Sequence, residues 1–173
     1  MDLVELQASD FDIVMDLFCE CFADDHFYKE VFPDVEQRVE QMRKEFHDAI
    51  MYTLEYGVCK GIVEGESKHL LAFVLCFDYK DAFYNHRHSY DDIFASIDNT
   101  LRPSFLANFH RPVMNLSGKT LYLMSIAVLE KYRGQGIASS MLDCLITEYK
   151  NWNIVSDVSN TASLPMYMKR GFL

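Results

Sequence analysis

The stretch that most narrows the folds open to this chain runs from Leu121 to Lys150. An apolar run of β character, Leu121-Tyr-Leu-Met-Ser-Ile-Ala-Val128, passes through Leu-Glu-Lys-Tyr-Arg133-Gly134-Gln135-Gly136-Ile137-Ala138 into a helix-like segment, Ser139 to Lys150. The first N–H groups of a helix lack internal partners, and the helix dipole puts partial positive charge there. A strand feeding such an end through a basic, glycine-containing turn makes a nest of main-chain donors for a phosphate. Gly134 and Gly136 let the backbone approach a ligand where a side chain would obstruct it. The turn reads as a diphosphate cradle.

Two common cradles are excluded by residue type. A P-loop needs Gly-Lys-Ser/Thr opening its helix, and the residues after Gly136 are Ile-Ala-Ser. A dinucleotide-binding fingerprint needs three glycines and a later acidic residue for a ribose. Arg133, Gly136 and Ala138 form Arg-x-x-Gly-x-Ala, which resembles the Gln/Arg-x-x-Gly-x-Gly/Ala acetyl-coenzyme A signature of the GNAT N-acetyltransferase superfamily. Downstream, Asn160-Thr-Ala-Ser163-Leu-Pro-Met166-Tyr167-Met-Lys-Arg-Gly171-Phe172 is similar to that family's second half-site, Asn-x-x-Ala-x-x-Leu-Tyr-x-x-x-Gly-Phe. Ser163 replaces the usual Ala and Met166 the usual Leu, while Asn160, Tyr167 and Gly171-Phe172 fall in place.

Length and composition set the frame. A chain of 173 residues, half of them apolar, suffices for one domain with a full core. No apolar run approaches a membrane span, and Met1-Asp-Leu-Val-Glu5 lacks the basic start of a secretion signal. Five cysteines with apolar flanks point to reduced core thiols and a cytoplasmic protein. No His, Cys, Asp or Glu cluster has metal-ligand spacing, so no metal is expected. Sixteen basic against 26 acidic residues give a net charge of −10, which disfavours nucleic acid and suits a cationic amine partner, or simply solubility.

Along the chain, Leu3 to Gln7 reads as a strand, and Ser9 with Asp12 as the cap of a helix bearing Phe11, Val14, Met15, Phe18 and Phe22. A second helix is predicted from Val35 to Tyr52, and strands from Leu54 to Lys60, His69 to Asp78 and Asn153 to Val158. The near-continuous apolar character of 69–78 predicts a strand covered on both faces. Residues 79–119 read as an insertion over the substrate side of the sheet, helical from Tyr90 to Asn108. His86-Arg-His88 within it reads as surface or packing and not as a metal site.

The resemblance implies an α/β (α+β) fold: a mixed central sheet, flanked by helices, splayed between its fourth and fifth strands. Residues 1–173 would form a single domain, with the coenzyme half at about 121–173 and the acceptor half at about 1–120. The family sheet continues past Gly-Phe, so its C-terminal strands are expected to be missing after Leu173. The segment from Cys21 to Asp34 resembles the acidic, aromatic substrate loop of one family branch.

By that resemblance, acetyl-coenzyme A is the co-substrate. Its pantetheine arm would pair with the main chain of Ile126, Ala127 and Val128. Its pyrophosphate would sit on Arg133, Gly134, Gln135, Gly136, Ile137, Ala138 and Ser139, and Asn160 would hydrogen-bond the arm. Tyr167 would protonate the departing thiolate, its phenol (ordinary pKa ~10) being matched to that task. A strand N–H near Ala127 would stabilise the oxyanion. Asp78, Tyr79, Ser125 and His26 stand as alternatives for the base that frees the amine. The acceptor would be a primary amine of a small molecule or peptide, with no nucleic acid or membrane partner, and a homodimer is allowed. A non-catalytic acyl-coenzyme A sensor is the rival reading. A nucleotide-binding protein using Arg133–Ala138 for another diphosphate is a third, disfavoured by the missing P-loop lysine.

Overall fold

The structure is a computed structural model that describes residues 1–65, 69–86 and 110–172. Five strands form one sheet in sequence order: β1 (Asp2–Glu5), β2 (Val58–Glu64), β3 (His69–Asp78), β4 (Thr120–Val128) and β5 (Asn153–Val155). The first four run antiparallel and β5 joins β4 in parallel. A parallel pair needs a crossover, supplied here by the helix Ile137–Glu148. The other helices are α1 (Phe11–Phe22), α2 (His26–Val31), α3 (Arg38–Tyr56), α4 (Tyr79–Asn85) and α5 (Arg111–Asn115) before that crossover, which is α6, and α7 (Leu164–Met168) after it.

Strand β3 shows why the sheet is covered on both sides. Side chains alternate across a strand. Leu71, Phe73 and Leu75, all fully buried, meet Val14, Phe18, Met42 and Ile50 of α1 and α3. Ala72, Val74 and Cys76, also fully buried, meet Leu142 and Leu145 of α6 together with Tyr167. The expected boundaries of this strand coincide with the observed ones.

Several expected boundaries shift. The first helical segment is capped two residues earlier than Ser9 predicts, at Gln7: Asp10 Oδ2 accepts from the Gln7 N–H at 2.8 Å, and a 3-10 turn over Ala8–Asp10 leads into α1. The predicted 35–52 helix is displaced to Arg38–Tyr56, because Asp34 first caps a turn by accepting from the N–H groups of Glu36 and Gln37. β2 accordingly begins at Val58 and not at Leu54. The short helix α2 is an addition, started by Asp25 accepting from the Phe27 N–H at 3.0 Å. The predicted helix over 90–108 lies outside the described residues.

One buried charge fixes the loop between α1 and α3. Arg38, 6% exposed, donates from Nε to the Phe32 carbonyl (2.7 Å), from Nη1 to Ala23 (3.1 Å) and from Nη2 to Pro33 (3.5 Å). The planar guanidinium can serve several carbonyls in fixed directions. It thereby holds the segment carrying Asp24, Asp25, Phe27 and Tyr28 over the sheet.

Candidate active site

The sheet opens at a defined point. β5 pairs with β4 only over Thr120–Tyr122, opposite Asn153–Val155. Beyond it, β4 continues to Val128 against β3 alone among the described residues. Leu75 faces Ser125 and Cys76 faces Leu123, so Met124 is bulged out of register. A bulge bends its strand and increases local twist. Two side-chain bonds close the apex of the resulting wedge. Ser156 Oγ donates to the Leu123 carbonyl (3.0 Å), and Tyr122 Oη donates to Asp157 Oδ1 (2.6 Å).

The wedge widens into a cleft of about 1090 Å³. It is walled by Ser125–Val128 on one side and by Ser156–Asn160 with Tyr167 on the other. At its wide end lies the turn after β4. Gly134 (φ 75°) and Gly136 (φ 81°) are left-handed, a conformation that side-chain-bearing L residues rarely adopt. A Cβ built at either would meet nothing within 4 Å, so the space before the turn is open. Gly136 is the N-cap of α6, with no side-chain cap; the first helix bond joins the Ser140 N–H to the Gly136 carbonyl at 2.9 Å. The N–H groups of Ile137, Ala138 and Ser139 thus precede the internal ladder, on residues that line the cleft. An unpaired strand edge ending in such a donor set fits a ligand with an amide-bearing arm and a diphosphate.

Of the residues singled out in the sequence, Ile126, Ala127, Val128, Arg133, Gly134, Gly136, Ile137, Ala138, Ser139, Asn160 and Tyr167 are brought to this one cleft. Gln135 is not among its lining residues; its Nε2 turns back toward the Lys131 carbonyl at 3.5 Å. Arg133 also has a local task, since its Nε donates to the Val128 carbonyl at 3.0 Å and ties the turn to β4. Asn160 caps the turn before α7 by accepting from the Ala162 N–H at 2.9 Å through its side-chain oxygen.

Tyr167 is 5% exposed at the narrow end of the cleft. Burial pushes its phenol up to about 12, against a lowering by the Ser156 hydroxyl beside it. It therefore keeps its proton at neutral pH. Ser125 is 8% exposed in the cleft wall, and its hydroxyl has no hydrogen-bond partner among the described residues.

Three of the four residues considered for the base are placed elsewhere. Asp78 is the N-cap of α4, accepting from the N–H groups of Lys80 and Asp81. The Tyr79 hydroxyl is buried against His110 Nδ1 at 3.0 Å. His26 is exposed and faces Glu30 at 3.2 Å. None of these lines the cleft, whereas Ser125 does.

Among the carboxylates that line the cleft is Asp157, which falls near the end of the predicted strand Asn153–Val158. By surface area it is exposed on the cleft, with its carboxyl set among protein atoms that enclose it in part. That enclosure raises its carboxyl above the usual range, opposed by the Tyr122 hydrogen bond and by its own backbone N–H. Tyr122 and Tyr28 are both raised, first by burial and then by the Asp157 charge. The sequence signal was available: Ser156-Asp157 is a polar pair within an otherwise apolar run, just ahead of the Asn160 motif.

The comparisons with known proteins agree with this architecture. The model of the acetyltransferase (GNAT) family matches residues 12–172, and the chain belongs to that family of acetyltransferases. A search of curated proteins returns no match. Among solved structures, the chain is similar to the histone acetyltransferase HPA2 and related acetyltransferase from Corynebacterium glutamicum, at 15% identity and a TM-score of 0.62, over 99% of this chain and 83% of that one. It is similar to an N-acetyltransferase from Staphylococcus aureus at 19% identity and a TM-score of 0.58, over 100% and 91%. It is also similar to mosquito arylalkylamine N-acetyltransferase like 5b at 12% identity and a TM-score of 0.61, over 98% and 82%. At these identities the likeness establishes the fold. Among the described residues no helix is long and apolar enough to cross a membrane, and no group of His, Cys, Asp and Glu could hold a metal ion.

Proposed function

We propose that the protein transfers an acetyl group from acetyl-coenzyme A to a primary amine of a small molecule or peptide, by direct attack of the amine on the thioester. The observation that carries this reading is the single cleft joining an unpaired strand edge, a left-handed glycine turn at a helix N-terminus and a buried, protonated tyrosine. When bound, the coenzyme supplies an activated acyl group. Main-chain groups of Ile126–Val128 would orient its arm as an added strand would be oriented. The N–H groups of Ile137, Ala138 and Ser139 would hold its diphosphate in the field of the α6 dipole. Tyr167 would donate its phenolic proton to the sulfur as the C–S bond breaks. An N–H of the free β4 edge would meet the negative charge developing on the carbonyl oxygen.

The acceptor end supports the amine. Asp24, Asp25 and Asp157 line it together with Phe22, Phe27 and Tyr28, a setting for a cation on an apolar body. Free cysteines at five positions suit a reducing, cytoplasmic setting. Following coenzyme A release from acetyl-coenzyme A against 2-phenylethylamine, spermidine, an aminoglycoside and an alanine-terminated peptide tests the reading. Amine-dependent release supports it. Tight acetyl-coenzyme A binding with no release for any of them would favour the rival acyl-coenzyme A sensor.

A further inference from the structure

We propose that Asp157, held by Tyr122, is the base that takes the proton from the acceptor's ammonium group. The proposal rests on the acetyl-transfer reading and adds a residue to it.

Position is the first argument. β4 runs from the wedge apex at Tyr122 to the glycine turn, and strand rise of about 3.4 Å per residue puts some 20 Å between Tyr122 and Val128. An arm anchored by its diphosphate at the wide end runs toward the apex. Tyr167, the thiolate acid of the proposed reaction, is at that apex beside Ser156. Asp157 is the next residue in the chain, fixed by the 2.6 Å bond from Tyr122. Acid and base would then lie at the same end of the cleft.

Availability is the second. Of the three cleft-lining aspartates, Asp24 is paired with Lys29 at 3.0 Å and Asp25 is committed to capping α2. Asp157 has no cationic partner among the described residues. Among the described residues, the titratable groups that face it are the phenols of Tyr122 on β4, Tyr28 on α2 and Tyr167 on α7. Phenols stay neutral at working pH, so an arriving ammonium would be the cation that completes the site. The Ser125 hydroxyl in the opposite wall, without a hydrogen-bond partner among the described residues, is a further group open to a polar ligand. Partial enclosure also suits the chemistry, because a base works best when its pKa lies nearer the operating pH.

The protons balance. Asp157 takes one proton from R–NH3⁺ and later releases it to solvent through the open cleft. The amine lone pair forms the C–N bond, the C–S bond breaks, and Tyr167 gives its proton to sulfur. The second N–H proton, lost as the amide forms, restores Tyr167. The net products are the acetamide, coenzyme A thiol and one proton.

The test compares wild type, Asp157→Asn and Tyr122→Phe, measuring kcat from pH 5 to 9 with the best amine of the panel, acetyl-coenzyme A affinity by calorimetry, and the Asp157 carboxyl by carbon-13 titration. Asp157→Asn should lower kcat by about 10²–10⁴-fold with coenzyme affinity within threefold. Tyr122→Phe removes a hydrogen bond that lowers the Asp157 pKa, so the acidic limb of its profile should move to higher pH. The carboxyl should titrate above the ordinary ~3.9 of aspartate. Should Asp157→Asn fail to fold, the Tyr122→Phe limb and the titration decide. An active wild type with Asp157→Asn within threefold of it, or an unshifted limb in Tyr122→Phe, or a carboxyl titrating at or below the ordinary value, overturns the assignment alone. A wild type that acetylates no amine of the panel overturns the acetyl-transfer reading and this assignment with it.

Discussion

Replacing Gly136 separates the backbone conformation of the turn after β4 from its proposed task of holding the coenzyme. Its φ of 81° costs an ordinary L residue about 1–2 kcal/mol, and the open space before it adds no clash to that cost. For a domain of this size each kcal/mol moves Tm by about 2–4 °C, so Gly136→Ala should melt roughly 2–8 °C lower. Ligand binding should suffer more. A side chain here stands in the approach to the N–H groups of Ile137, Ala138 and Ser139. Losing two hydrogen bonds to a charged phosphate, each worth about 1.5–3 kcal/mol, corresponds to at least a hundredfold in Kd. Gly136→Asn is the informative partner, since Asn tolerates the left-handed region yet still fills the space. It should keep Tm near wild type while weakening coenzyme A binding. Arg133→Ala removes a screened charge and one bond to Val128, and should cost about 1 kcal/mol, roughly fivefold. Calorimetric titration with coenzyme A and thermal melts of the apo proteins give both quantities. Coenzyme A binding within threefold of wild type in Gly136→Val would refute the cradle. Equal Tm losses for Asn and Val would refute the strain argument.

Tyr167→Phe keeps the buried ring and removes the proposed acid, so turnover should fall by about 10²–10⁴-fold with coenzyme affinity nearly unchanged; a loss under tenfold makes the hydroxyl a packing group. Because burial raises this phenol to about 12, its acid form is lost only above that pH, and the wild-type rate should show no descending limb from Tyr167 between pH 6 and 10. Arg38→Ala strips three carbonyls of their donor and should destabilise the fold by about 3 kcal/mol, read as a melt roughly 6–12 °C lower, with Arg38→Lys recovering only part. Gly57→Ala would drive a Cβ into the carbonyl oxygens of Cys76 and Thr53, both main-chain atoms, and should cost about 3 kcal/mol by denaturant melt although its φ is ordinary.

The sequence by itself determined the strand and glycine turn from Leu121 to Ala138. Gly134, Gly136 and the apolar strand before them have one economical use, because left-handed turns demand glycine and orphan helix N–H groups demand an acceptor. Those constraints are local, so a short window of sequence carries them. The same holds for β3, whose unbroken apolar run announces burial on both faces. The rest of the cleft depends on contacts between distant segments. That Arg38 would reach back to Ala23, that Met124 would bulge, and that Asp78, Tyr79 and His26 would be committed to a cap, a buried ring pair and a surface contact cannot be read from spacing. Asp157 is the clearest case. In sequence it is one polar residue at the end of a predicted strand. Pairing stops at Val155, the wedge opens, and Tyr122 from the neighbouring strand, 35 positions earlier, turns that residue toward the cleft. Tertiary structure decided its environment because a carboxylate's charge and basicity are set by what surrounds it in space, and its surroundings are supplied by β4, α2 and α7.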